Sequence, residues 1–210
     1  MINREDKVIF LHVPKTGGCS VESLLVKNNY NPKYRHLTLG QMKVPEKELD
    51  EYTIFTIIRN PWDRVLSNFF YSVGEGRART WMDGATTFAA YLDNVKKTYE
   101  SNGGLDKKLS KGSLRHTSVN SIGYWINGYS GPVHELRFET LSQDWNEFKG
   151  NIGIQTALPH VNKNTSKSKK SKKQFARSYN SNYRDFYTVS ERDLVRELYK
   201  GDIEKYGYTF

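Results

Sequence analysis

Residues 8–28 read VIFLHVPKTGGCSVESLLVKN: a run rich in β-branched and aromatic residues, a turn with two adjacent glycines, then apolar residues at helical spacing. Val8 to Val13 lacks the strict alternation of a half-exposed strand, which predicts a strand buried on both faces of a parallel sheet. Pro14 to Gly18 form the turn. Val21, Leu24 and Leu25 then share one helical face, and Asn28, Asn29 and Pro32 end the pattern. Where a strand ends in a glycine turn that opens a helix, several backbone N–H groups converge and the helix dipole adds partial positive charge. Such a turn is built to hold an anion.

Side chains around the turn fit that role. Gly17 and Gly18 permit close backbone approach, Lys15 adds a point charge, and Thr16 and Ser20 add hydroxyls, with Cys19 between them. The usual nucleoside-triphosphate loop differs: it ends GK[ST] and relies on Mg²⁺ held by the loop hydroxyl and a carboxylate at the end of a neighbouring strand. Here Lys15 precedes the glycines, and the next strand ends in Arg59, not in an aspartate.

That next strand belongs to a second copy of the arrangement, TIFTIIRNPWDRVLSNFFYSV at residues 53–73. Thr53 to Ile58 predict another buried strand, and Asn60 with Pro61 predicts an N-cap followed by proline at the first helical position. Val65, Leu66, Phe69, Phe70 and Val73 make the expected buried stripe. Arg59 then offers a second anion contact, with Ser67 eight residues on along the following helix as its partner. Two phosphate sites without a metal are implied, which suits a nucleotide carrying phosphates at both ends of its ribose.

Elsewhere the pattern predicts a helix over Thr87 to Glu100, a polar loop region over 101–121, a short strand in VHELRF at 133–138 and a helix around ETLSQDWNEF. A last helix is expected to open at Ser190, with Asp193 at capping-box spacing, and to bury Leu194, Val195, Leu198 and Ile203. Strands alternating with helices predict an α/β fold: one domain over 1–210 with a mostly parallel, doubly wound sheet and a P-loop-like turn.

Composition narrows the setting. A length of 210 residues suits one domain, and no apolar run approaches the roughly 20 residues of a membrane-spanning helix. The charged start MINREDKVIF leaves no room for a signal peptide, and a single cysteine fits a reducing compartment, so a cytoplasmic protein without a membrane anchor is expected. The formal charge is +9, but six lysines fall between Lys163 and Lys173, and without them the chain carries only +3. That run, within 161–175, is expected to be a flexible loop, and the mildly basic remainder argues against a dedicated nucleic-acid binder.

FLHVPKTGG and IIRNPWDRVLS resemble the two cofactor-binding motifs of the sulfotransferases, specifically the branch that includes carbohydrate and heparan sulfate 2-O-sulfotransferases. RHLTL, LRFETL, LPHVN and the closing DIEKYGYTF resemble family landmarks in the same order, so the likeness spans nearly the whole chain. The resemblance implies the P-loop-like sulfotransferase fold and a sulfuryl donor, 3′-phosphoadenosine 5′-phosphosulfate. Lys15, Thr16, Gly17, Gly18, Cys19 and Ser20 would hold its 5′ end, and Arg59 and Ser67 its 3′-phosphate, with no metal. Cys19 departs from the Thr or Ser common at its position.

Sulfuryl transfer to a hydroxyl calls for a base, and histidine is the natural one near neutral pH. His36, in the connection after the first helix, matches the histidine of the related 2-O-sulfotransferases and is the expected base, with Lys15 stabilising the leaving phosphate. His160 is second and could instead position substrate. His12, inside the first strand, is expected to pack against the sheet, and Trp62 to pack in the core or line the adenine side. Arg137 and Glu139 are expected to tie the sheet to the following helix. The acceptor implied is a carbohydrate hydroxyl, with Arg77, Arg79, Arg115 and the lysine run favouring an anionic glycan. Two other functions compete: a small-molecule or nucleotide kinase, which the missing GK[ST] and strand-end aspartate oppose, and a nucleic-acid-binding module using the lysine run.

Overall fold

The computed structural model describes residues 1–74, 84–109, 117–126, 128–159 and 182–210. In chain order its principal elements are β1 (Ile2–Asn3), β2 (Val8–Leu11), α1 (Gly18–Leu25), β3 (Thr53–Ile58), α2 (Pro61–Gly74), α3 (Phe88–Asn102), α4 (Ile122–Ile126), β4 (His134–Arg137), α5 (Leu141–Phe148), α6 (Val189–Leu198) and α7 (Lys200–Tyr206). Contacts gather the chain into two compact units, one of residues 1–59 and 122–163, the other of 60–121 and 164–210.

The first unit holds the sheet. Its order is β1-β2-β3-β4, with β1 antiparallel to β2 and the other pairs parallel. Val8 lies opposite Thr53 and Leu11 opposite Thr56, while Phe55 faces His134 and Ile58 faces Arg137. The sheet is thus mostly parallel, as the sequence predicts. The parallel strands follow in chain order, so the described strands show no reversal of the kind at which a doubly wound sheet changes direction. The short β1 has no periodic signal in two residues and could not be foreseen.

Phe10 and Phe55 stack with ring centroids 4.8 Å apart, and Phe148 meets Phe55 at the same distance. Val21, Leu24 and Leu25 of α1 join that cluster together with Leu136 and Trp145. Burying this stripe holds an eight-residue helix that would be marginal alone. The helix tightens into a 3₁₀ turn and stops at Asn29, whose φ of 64° is the left-handed stop that asparagine tolerates. Beyond β4, Asp144 accepts a hydrogen bond from the Arg137 backbone N–H at 2.7 Å, a strand-to-helix tie made by the main chain of Arg137 and the side chain of Asp144, where the sequence pointed to Arg137 and Glu139.

In the second unit Asn60 caps α2 as predicted, its Oδ1 accepting from Trp62 N–H at 3.1 Å, with Pro61 first in the helix. Val65, Leu66 and Phe69 are buried, while Phe70 and Val73 are only half-buried. Trp62 packs in this unit's core: its indole N–H donates to the Arg192 carbonyl at 2.9 Å and its ring meets the edge of Phe210. Asn60 Nδ2 donates to the Thr209 carbonyl, so the closing YGYTF is tied to the start of α2.

Helix boundaries differ from expectation at three points. Thr87 lies outside α3 as its cap, accepting from Ala90 N–H. The last helix begins earlier, because Thr188 and Glu191 form a capping box, and Asp193 pairs instead with Arg192 and Arg196. It also breaks into α6 and α7 at Tyr199, whose fully buried hydroxyl donates to the Val119 carbonyl at 2.6 Å. A tertiary anchor, invisible in helical periodicity, overrides the pattern there. Among the described residues no helix is long and apolar enough to cross a membrane.

Candidate active site

The strand–turn–helix of residues 8–25 sets the frame. After β2 the chain turns through Lys15, at φ 68°, and Gly17, at φ 81°, before α1 begins at Gly18. Both glycines are required by space. A Cβ on Gly17 would lie 2.8 Å from the Phe138 ring, and one on Gly18 would lie 2.4 Å from the His12 ring. Helix α1 has no side-chain cap and no acid in its first turn.

Within the turn, the predicted residues play unequal parts. Thr16 is fully buried and its hydroxyl donates to the Val13 carbonyl at 2.9 Å, which pins the turn from inside. Cys19 is exposed, and Lys15 and Ser20 are half-buried. Arg59, directly after β3, is buried. Its guanidinium donates to the Lys15 carbonyl at 2.8 Å and lies 4.0 Å from the centre of the Phe138 ring. The positive charge at the end of β3 is therefore held beside the turn by a bond to its backbone and a cation–π contact. Ser67, on α2 of the other unit, is buried. His160 lies outside the described residues.

His36 is brought to the same turn. Its ring stands 4.4 Å from that of His12, and its Nδ1 lies 2.8 Å from the His12 carbonyl. A carbonyl only accepts, so Nδ1 carries the proton in this contact and the neutral ring keeps its lone pair on Nε2. The residue is exposed and its backbone is left-handed, with φ 54°. Loss of water where the ring packs lowers its pKa toward about 4, helped by the charges of His12 and Arg35 and opposed by the hydrogen bond to the His12 carbonyl and by Glu22.

Three further residues complete the cluster. His12 does not extend the strand: it follows the end of β2, is buried, and stacks on Phe10 with its Nδ1 3.3 Å from Glu22 Oε2. Burial pulls its pKa down, against the pull of Glu22. The other carboxylate oxygen of Glu22 accepts a hydrogen bond from Arg35. Burial alone would raise the Glu22 carboxyl, but His12 and Arg35 outweigh it and hold it down at about 2. One signal for Glu22 was present in the sequence: it lies beside Val21 and Leu25 on the buried face of α1, and an acid there needs a partner. For Arg35 and for the polar role of His12 there was none.

An anion of the phosphosulfate kind fits this frame, because the turn opens a helix N-terminus and Lys15 and Arg59 bring positive charge beside it. A metal could be offered one donor each by His12, Cys19 and Glu22, which lie within 4.8 Å of one another. Arg35 on the same carboxylate opposes a cation there. In comparisons with known proteins, the model of the sulfotransferase family matches residues 1–209. No curated protein matches the chain.

Proposed function

The chain belongs to the sulfotransferase family, and from that premise we propose that it transfers a sulfuryl group from 3′-phosphoadenosine 5′-phosphosulfate to an acceptor hydroxyl of a carbohydrate. The observation that carries this reading is the position of His36, whose Nδ1 is bonded to the His12 carbonyl, which leaves Nε2 as the ring's proton acceptor, and whose ring stands 4.4 Å from the His12 ring that abuts Gly18 of the turn. The backbone N–H groups from Gly17 to Ser20 and the Lys15 ammonium would receive the 5′-phosphosulfate. Arg59 and Ser67 are assigned to the 3′-phosphate on the resemblance of IIRNPWDRVLS to the family's second motif.

When bound, the donor supplies an electrophilic sulfur whose S–O bond to the phosphate breaks as the acceptor oxygen forms its own. His36 Nε2 takes the proton from that acceptor hydroxyl, and as a base it would contribute roughly 10²–10⁴ in rate. Its lowered pKa keeps the ring unprotonated at neutral pH, ready to accept. Lys15 meets the charge that develops on the departing phosphate, and the N–H groups of the turn share it. His36 is exposed, as a base serving a bulky acceptor would need to be, and the basic residues outside the described segments would favour an anionic one.

Calorimetric titration tests the donor assignment. The purified protein is expected to bind 3′-phosphoadenosine 5′-phosphate without metal, and not to bind ATP with Mg²⁺. Binding of ATP alone, and only with Mg²⁺, would replace this reading with a kinase.

A further inference from the structure

Resting on the proposed function, we propose that Glu22 is a positioning residue for the base, fixing His36 as the tautomer with Nδ1 protonated and Nε2 free. Glu22 touches neither reacting group. It acts on both sides of His36 at once: one oxygen holds Arg35, the residue immediately before His36, and the other faces His12, whose carbonyl receives the His36 Nδ1 proton.

The arrangement needs such a tie. His36 sits on a connection of 3₁₀ turns and irregular backbone between Asn29 and Thr53, where no strand or α-helix fixes it. Its left-handed φ is uncommon for a non-glycine residue and is retained where the surroundings support it. His12 is packed between Phe10 and the bare Cα of Gly18. Glu22 Oε2 and His12 Nδ1 are both buried and 3.3 Å apart, and among the described residues neither atom is hydrogen-bonded elsewhere, so each is the other's polar neighbour in a dry site. Arg35 is half-exposed and spends its charge on Glu22. Together they join a helix, a strand end and a loop that are far apart in sequence, and all three meet at His36.

Removing the carboxylate charge should therefore free the loop and release the tautomer without emptying the anion-holding turn. A base displaced by about 1 Å loses on the order of 10²-fold in rate. Turnover is expected to fall by about that factor in Glu22→Gln, with affinity for 3′-phosphoadenosine 5′-phosphate changed by less than about twofold.

The test uses the full chain labelled with nitrogen-15 at histidine, with long-range proton–nitrogen correlation spectra near neutral pH. The His36 ring is assigned by its disappearance in His36→Gln. Wild type is expected to show a protonated Nδ1 and a bare Nε2 at His36, and Glu22→Gln to show the averaged shifts of a ring free to exchange tautomers. Arg35→Gln alters a half-exposed side chain and repeats the experiment should the buried substitution fail to fold. A His36 ring that keeps the wild-type tautomer in both variants, or that lacks the Nδ1 proton in wild type, overturns the proposal. Wild type that shows the expected tautomers but does not bind 3′-phosphoadenosine 5′-phosphate overturns the donor assignment and leaves the positioning role standing.

Discussion

His36 combines a left-handed backbone with an exposed position, and both properties bear on what it can do. Holding a non-glycine residue in the left-handed region costs about 1–3 kcal/mol, which the Arg35–Glu22 ion pair and the Nδ1 hydrogen bond must offset. His36→Ala should lower turnover on the order of 10²–10⁴-fold while leaving affinity for 3′-phosphoadenosine 5′-phosphate nearly unchanged; steady-state kinetics beside calorimetry separate the two, and normal turnover would move the base elsewhere. Protonation offers an independent check. Both His12 and His36 have folded pKa values below the ordinary 6.5, so the unfolded chain binds more protons below that pH. Their contribution to stability is complete above 6.5 and is lost as pH falls below it, for His36 over the range down to about 4. Glu22, lowered from 4.5 to about 2, adds stability that is present above 4.5 and lost further down. Thermal midpoints measured from pH 7.5 downward should fall first in the histidine window, and His36→Gln should flatten that first decline.

At the scale of elements, each of the two strand–turn–helix units has one position that can be probed without touching the other. Gly18 opens α1 with its Cα against the buried His12 ring, so Gly18→Ala places a methyl 2.4 Å from an atom that has nowhere to go. Overpacking of this kind costs about 1–3 kcal/mol. The substitution should both lower the thermal midpoint and weaken binding of 3′-phosphoadenosine 5′-phosphate, since ring and turn move together. Asn60 caps α2 and ties it to Thr209. Asn60→Ala should cost about 1 kcal/mol in denaturant unfolding from the lost cap, with Asn60→Ser recovering part of it through a shorter cap. These elements were legible in sequence because their signals are local: glycine pairs, Asn-Pro, and apolar residues repeating at three and four. The break at Tyr199 and the earlier start at Thr188 were not, because a buried hydroxyl on the Val119 carbonyl and a capping box chosen among neighbouring hydroxyls decided them.

For the whole molecule, charge separates the competing functions. Most of the net +9 resides in six lysines that lie outside the described residues, and the remainder is only mildly basic. Replacing those six lysines by glutamine should leave metal-free binding of 3′-phosphoadenosine 5′-phosphate within about twofold, because the charges assigned to that nucleotide, Lys15 and Arg59, belong to other segments of the chain. Any DNA affinity of the native chain should be weak and steeply salt-dependent, and should vanish in the same variant. Retained DNA affinity together with lost nucleotide affinity would favour the nucleic-acid reading. A Michaelis constant for an anionic glycan that rises in the variant would show the run acting on the acceptor.

The sequence by itself determined the two strand–turn–helix segments, the parallel pairing of their strands and membership of the sulfotransferase family, since each depends on residues that are neighbours along the chain. His36 was reached through the resemblance of RHLTL. What surrounds it was decided only by tertiary structure. Glu22, Arg35 and His12 are separated by up to 23 residues, and their roles come from burial: a carboxylate in the apolar face of α1 must find a positive partner, and a histidine at a strand end loses its water. Local periodicity records which residues are apolar, but it carries no trace of which polar groups will share one dry volume.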